Sequence, residues 1–348
     1  MKMTNFNGLM KHCRSITISL FILVMQIGPV IYGQAVPGKD ENIQFLVTFG
    51  KNNITSWGDD DFYQVWFFSI PKDFTQPFYI RIFDPDCGGE WDEIHGDFNT
   101  RTSFSVYGGK GVDPDLNEES RGLLSLKDFK NYGLKGNLLE SRTFVGEARY
   151  DNKYVTLGPF NPTAGDFSKK WNVYLFKVVI EGVSGDDGNL YRFFMSRNPD
   201  SDVAVEGGNA FTYEYTFRMW NDFKSESNIY PYVDTGVIWV KQRNFDWDDD
   251  GKIMVISRYK QGLVADRSGQ DVWAESRINI EEAEIGGSLN FKFIKKQGKP
   301  EDLVKNNNVV ITIENQYGEA LKFYSSPIGG VPYYEGKVGH KQIPKPKK

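Results

Sequence analysis

The sequence predicts an all-β protein made of two antiparallel β-sandwich domains, the first jelly-roll-like and the second Ig-like. Three observations carry this. Apolar and polar residues alternate with period two in run after run, which puts one side of each strand on a core and the other in water. Aromatic residues make up 15% of the chain, with 26 Phe, 18 Tyr and 8 Trp, and such rings suit the pleated, half-buried surface of a sheet. Turn residues break the runs at short intervals, as in sandwiches and barrels rather than βαβ units.

In chain order, strands are expected at Phe45 to Phe49, Tyr63 to Phe68, Phe78 to Phe83, Thr102 to Tyr107 and Val173 to Ile180. Residues 112–140 interrupt the pattern with poor helical periodicity and Gly122, Gly133 and Gly136, and read as an irregular insertion. Val179-Ile180-Glu181 leads through Gly185-Asp186-Asp187-Gly188-Asn189 into Leu190 to Phe194, a β-hairpin signal around an Asp-Gly turn. Phe211 to Phe217 has the cleanest alternation in the chain. The polar stretch Asn221 to Asn228 marks a boundary, giving domains over 38–222 and 228–330. The second series runs through Gly236 to Val240, Ile253 to Ile256, Leu289 to Phe293, Val309 to Ile313 and Leu321 to Tyr324. Its size and strand spacing match an Ig-like sandwich. Residues 336–348 carry five lysines among Pro344 and Pro346 and are expected to be a disordered basic tail.

Residues 1–35 read as a secretory signal. Lys2, Lys11 and Arg14 precede an apolar run from Ile16 to Ile31, no acid occurs before Asp40, and Gly33 and Ala35 offer a small-residue exit. The run is broken by Gln26, Gly28 and Pro29 and falls below spanning length. The protein is therefore expected to be exported to the periplasm, the outer surface or the medium, with no transmembrane span after signal removal. Taking those three cations from the 41 basic residues leaves 38 against 46 acidic ones, a balance of −8. Such a surface repels phosphate backbones, which argues against nucleic acid as a partner. Cys13 leaves with the signal and Cys87 then stands alone, so no intrachain disulfide is available. Asn53-Ile54-Thr55 matches the glycosylation sequon.

The sharpest motif is Asp246-Trp247-Asp248-Asp249-Asp250-Gly251-Lys252-Ile253. Carboxylates at alternate positions of a curled loop can meet at one centre, calcium wants six to eight oxygens, and the glycine permits the sharp turn. These eight residues resemble the first half of an EF-hand-type loop. That resemblance implies Asp246, Asp248 and Asp250 as side-chain ligands and Lys252 as a backbone-carbonyl ligand. Ser257 stands where the bidentate Glu would be, so a further ligand, Asp266 or Asp271, is expected from elsewhere. The other reading is a solvated acidic hairpin tip. A second set, Asp84, Asp86, Glu90 and Asp92, follows the strand ending at Phe83 and is close enough in sequence to share a cation. Cys87 and His95 in the same stretch supply too few ligands for zinc, and the plainer reading is a turn whose acids cap backbone N–H groups. Asp59-Asp60-Asp61 and Asp186-Asp187 are further acidic turns.

Catalysis finds little support. His95 and His340 are the histidines left after the signal, and there is no G-x-S-x-G, H-E-x-x-H or P-loop. Trp57, Trp91, Trp220 and Trp247 flank loops and Trp66 and Trp239 lie in strands, where rings serve either the core or a sugar face. Asp61 to Pro71 followed by Phe78 to Asp86 resembles the prepeptidase C-terminal type of bacterial jelly-roll module. That resemblance implies an accessory module on an exported protein, with no catalytic residues to carry over. The expectation is an exported, non-catalytic binding or structural protein of the cell envelope, calcium-stabilised, with an envelope protein or surface glycan as partner. The alternative is a carbohydrate-active protein that binds or cleaves glycans with its jelly-roll loops.

Overall fold

The structure, a computed structural model, describes residues 34–53, 62–114 and 135–332. Trp57, Asp59-Asp60-Asp61, residues 54–55 of the sequon, residues 1–33 of the signal, residues 115–134 of the insertion and the basic tail lie outside the described residues. The first strands are β1 (Ala35–Val36), β2 (Phe45–Phe49), β3 (Tyr63–Pro71), β4 (Phe78–Phe83), β5 (Arg101–Gly108), β6 (Asn137–Phe144) and β7 (Tyr154–Phe160). There follow β8 (Asp166–Ser168), β9 (Val173–Ser184), β10 (Gly188–Ser196), β11 (Asn209–Thr212) and β12 (Glu214–Arg218). The remainder are β13 (Glu226–Ile229), β14 (Tyr232–Val233), β15 (Trp239–Phe245), β16 (Gly251–Ile256), β17 (Gln261–Ala265), β18 (Trp273–Asn279), β19 (Gly287–Ser288), β20 (Asn290–Lys295), β21 (Asn308–Asn315) and β22 (Phe323–Tyr324). All pairings are antiparallel, helical turns among the described residues are three-residue 3₁₀ turns, and no helix there is long and apolar enough to cross a membrane.

Two large sheets form the frame. One runs β18-β15-β21-β12-β2-β10-β4-β7 with β1 added beside β10, and the other runs β22-β11-β3-β9-β5-β6 with β8 beside β9. Smaller sheets are β13-β20-β16-β17 and β14-β19. The inward residues of both large sheets make one core. Leu46, Tyr191, Phe193, Tyr215 and Phe217 meet Trp66, Phe68, Phe104, Phe176 and Ile180, and Phe291 and Phe293 of the four-stranded sheet join them.

Four sequence expectations change. The predicted hairpin at Gly185 to Asn189 does not form, because β9 and β10 belong to different large sheets. Gly185, at φ 86, packs on Thr100, and the buried Asp187 accepts hydrogen bonds from the N–H groups of His95, Asn99 and Thr100, so the turn carries the chain across the sandwich. The run Phe211 to Phe217 is likewise two strands in two sheets, parted at Tyr213. Residues 137–140, placed in the irregular insertion, begin strand β6, paired with β5. Finally, the division at 221–228 does not separate two sheets: β12 pairs with β21 over Glu214 to Arg218, and β11 pairs with β22. Hydrogen bonding crosses the expected boundary because the best partners for these strands lie about a hundred residues further along the chain.

Nor is the outer side of the nine-stranded sheet left in water. All five residues of β2 are buried. Phe45, Val47 and Phe49 pack outward with Leu190 and Phe83, beneath the segment that follows β4. Trp91 of that segment lies 5.5 Å from Phe45, and Glu93 exchanges two backbone hydrogen bonds with Gly188 at 2.9 and 2.8 Å. Its carboxylate also takes Arg218 and, at 3.1 Å, Asn308.

Candidate metal centre

The segment begins where β4 ends. Asp84 turns the chain in the left-handed region at φ 55, and its backbone N–H donates to Lys153 O at 2.9 Å. That bond continues the β4–β7 pairing into the turn before β7, residues 147–153. The turn is closed by Tyr150 N–H to Glu147 O at 2.9 Å and Lys153 N–H to Tyr150 O at 3.0 Å. The two segments then exchange side-chain contacts. Asp84 Oδ1 accepts from Asn152 N–H at 3.0 Å and Asp86 Oδ2 from Glu147 N–H at 2.7 Å. Gly89, at φ 80, lies against Asp151: a Cβ there would sit 3.1 Å from Asp151 Cγ.

This arrangement brings Asp84, Asp86 and Asp151 together, each with a carboxylate oxygen within 4.8 Å of the others. Among the described residues it is the one such group of three or more acidic, imidazole or thiol side chains. Oxygens on opposite sides of a calcium ion stand about 4.6–5.2 Å apart, twice the Ca–O distance, so the group fits inside one coordination sphere. Asp84 and Asp86 are buried and Asp151 is half-buried. Asp86 Oδ1 is enclosed yet has no hydrogen-bond partner, which is costly for a carboxylate oxygen unless a cation meets it. Burial pushes the Asp84 carboxyl up to about 7; the Asn152 N–H opposes this, the charges of Asp86 and Asp151 add to it, and Arg192 opposes it. Burial likewise raises Asp86, against the Glu147 N–H and with the charge of Asp151.

Glu90 and Asp92 do not join them. Glu90 is exposed and accepts from Asn152 Nδ2 at 3.4 Å. Asp92 accepts from Gly88 N–H and Leu190 N–H, both at 2.6 Å, which is the turn-capping role. Asp151 was missed in the sequence because it lies far along the chain and arrives only through the β4–β7 register. The one local hint was a Tyr-Asp-Asn turn ahead of a strand.

At the Asp246 loop, residues Asp246, Asp248 and Asp249 adopt φ 56, 57 and 52, a curl that buries Trp247 against Phe293, ring centroids 4.7 Å apart. Three of the four carboxylates take separate partners. Asp246 Oδ1 accepts from Asp271 N–H at 2.7 Å, and the exposed Asp249 pairs with Arg267 at 3.1 Å. Asp250 Oδ2 lies 3.1 Å from Lys295 Nζ, both side chains buried, and the same ammonium donates to Val304 O at 2.8 Å. The register Gly251↔Lys295 between β16 and β20 puts it there, so an internal cation already meets the third carboxylate of the loop. Lys252 lies within β16 opposite Ile294. Burial pushes Asp246 up to about 7, and raises Asp248 with help from Asp250 and Asp271. Of the two suggested outside ligands, Asp271 meets the loop through its backbone N–H, which donates to Asp246, and the Asp266 backbone carbonyl accepts from Asn244 Nδ2 at 3.0 Å.

The Cys87 thiol is buried, and burial, with the nearby charges of Asp92, Asp187, Asp86 and Asp84, pushes it well up, away from the nucleophilic thiolate. His95 Nδ1 stands 3.1 Å from Asp186. Trp66 and Trp247 are wholly buried, Trp220 donates to Asn42 O at 2.5 Å, and Trp91 is partly exposed.

No protein-family model matches the chain, and no curated protein matches it. Among solved structures it is similar to one titled "Cryo-EM structure of T=1 Penaeus vannamei nodavirus", at 8% identity and a TM-score of 0.15, over 81% of this chain and 94% of that one. At that score the likeness carries no argument about fold or function.

Proposed function

We propose that this is an exported, non-catalytic β-sandwich protein that binds or scaffolds at the cell envelope, stabilised by a divalent cation at Asp84, Asp86 and Asp151. The observation that carries the reading is the convergence of three carboxylates of which one, Asp86, keeps a buried oxygen without a partner. All-oxygen ligation favours a hard cation, and calcium accepts an irregular set of carboxylates more readily than magnesium, which demands near-ideal octahedral geometry. The ion would tie the segment after β4 to the 147–153 turn, and so support the cover over Phe45 and Phe49. The Asp246 loop is the weaker site, since a second cation there would stand beside the Lys295 ammonium. Export rests on the charge and apolar pattern of residues 1–35. Gln34 bonds with Val205 and Gly208 and Ala35 pairs with Phe194, so a cut near Gly33 keeps these contacts, whereas a cut after Ala35, the end of the expected signal, removes them. Thermal unfolding in calcium and in chelator tests the proposal. A rise in calcium that Asp86→Ala abolishes supports it; no rise at millimolar calcium overturns it.

A further inference from the structure

We propose that the outer face of the β15–β18 ladder is a binding strip for an acidic glycan, a polysaccharide bearing carboxylate or sulfate groups. This deepens the reading of the chain as a binding protein, and it does not depend on the cation site.

Strand β18 ends the nine-stranded sheet. Its outward residues Trp273, Glu275 and Arg277 stand opposite Phe245, Arg243 and Lys241 of β15, and Trp239 follows at the end of the row. Arg243 Cζ sits 4.8 Å over the Trp273 ring, and Arg277 Cζ sits 4.3 Å over the Trp239 ring. Trp273 is 44% exposed and Arg277 is exposed. Neither guanidinium has an ion pair or hydrogen bond among the described residues. The chain has a net charge of −5, yet this strip carries two guanidiniums without carboxylate partners among the described residues.

The neighbouring charges sharpen the point. Lys241 directly faces Arg277 across the strands, a like-charge opposition that Glu314, 3.1 Å from Lys241, offsets on the β15 side while Arg277 keeps no carboxylate of its own among the described residues. Glu275 faces Arg243 and is the acid on the strip without an ion pair. With Lys241 and Glu314 cancelling, Arg243 and Arg277 outweigh Glu275 and the strip is net positive. A ring beneath each guanidinium holds it in place, which lowers the entropy lost when it grips a ligand. Its fork of N–H donors suits bidentate contact with an oxyanion.

The shape of the charge selects the ligand. Protein interfaces concentrate apolar residues at the centre and charge at the rim; here charge is central and the rings lie at the two ends. Six residues of strand separate Trp239 from Phe245, about 20 Å at the usual rise, so the strip suits an extended chain with repeated anionic groups.

The experiment is binding of the whole chain to heparin, polygalacturonate and neutral dextran at low salt, in chelator so that no cation bridges the partners. Binding to at least one acidic polysaccharide and not to dextran is expected, weakened about tenfold by Arg277→Ala and by Arg243→Ala. Arg277→Lys keeps the charge, is expected to fold as wild type, and should also weaken binding because the fork is lost. Glu275→Gln should tighten it. Absence of binding to both acidic polysaccharides, equal binding to single-stranded DNA, or full binding by both arginine-to-alanine variants would overturn the inference. Stabilisation by calcium without polysaccharide binding would sink this inference and leave the proposed ion site standing.

Discussion

Asp151→Asn should reverse its effect on stability with calcium. Asp151 is the half-buried member of the trio, and its charge contributes to raising both Asp84 and Asp86. The lift of Asp84 from 3.8 to about 7 corresponds to at most about 4 kcal/mol against the ionised form, and to less once solvent screening is counted. Burial accounts for the largest share and neighbouring charge for a smaller one, so removing Asp151 should return about 1 kcal/mol in chelator at pH 8, where Asp84 is ionised. For a chain of this length that is about 2 °C in Tm. In calcium the order inverts. At a concentration a hundredfold above Kd, the wild type gains about 2.7 kcal/mol, about 5 °C, while the variant has lost a charged ligand and gains little. Differential scanning calorimetry of both proteins in both conditions reads all four values. Wild type and variant shifting equally with calcium, or Asp151→Asn melting lower in chelator, would refute the reasoning.

Glu41 is wholly buried, its carboxyl raised well above the ordinary range by burial against the opposing Gly38 N–H and Tyr215 hydroxyl. The fold therefore holds that proton more tightly than the unfolded chain, and stability from this group is full below the ordinary value of 4.5 and is lost as pH rises towards the folded value. Glu41→Gln should be more stable than wild type at pH 8, by about 1–3 kcal/mol, with the gain vanishing towards pH 4 in urea unfolding. Lys295→Met should cost about 3–5 kcal/mol by stranding the buried Asp250, and adding Asp250→Asn should recover much of it; a double-mutant cycle by urea unfolding measures the coupling. Ser257 Oγ accepts from Tyr259 N–H at 3.0 Å and Lys260 N–H at 2.9 Å and bonds Glu284, so Ser257→Ala should cost about 1–3 kcal/mol. A change under 0.5 kcal/mol would mean that the β16–β17 turn does not rely on it. Cys87 should resist thiol reagents in the native state and react at once in denaturant.

The strands were legible because alternation is a local property: β2 and β4 have the expected limits, β16 starts two residues earlier, and β20 and β21 differ by one or two residues at each end. What alternation cannot show is which sheet a strand joins. Phe211 to Phe217 alternates without a fault, yet it splits at Tyr213 because its halves join different sheets, β11 between β3 and β22 and β12 between β2 and β21. The hairpin signal at Asp187 misled for the same reason, since the turn chemistry was right and the pairing was elsewhere. At the site, Asp84 and Asp86 stood out by spacing, whereas Asp151 depended on the β4–β7 register. The Asp246 motif looked complete as a string of letters. Only the β16–β20 register reveals the lysine against its third carboxylate.

The ladder that crosses residues 221–228 also bears on how the chain can be divided. A cut between β12 and β13 would leave an N-terminal piece exposing the edge of β12 and a C-terminal piece exposing that of β21, both rich in apolar side chains. Open edges of this kind recruit any strand they meet, so each piece made alone should aggregate. Made together, the same edges are matched templates. The two pieces should reassemble without a covalent link, and a split reporter joined to the cut ends would then light up.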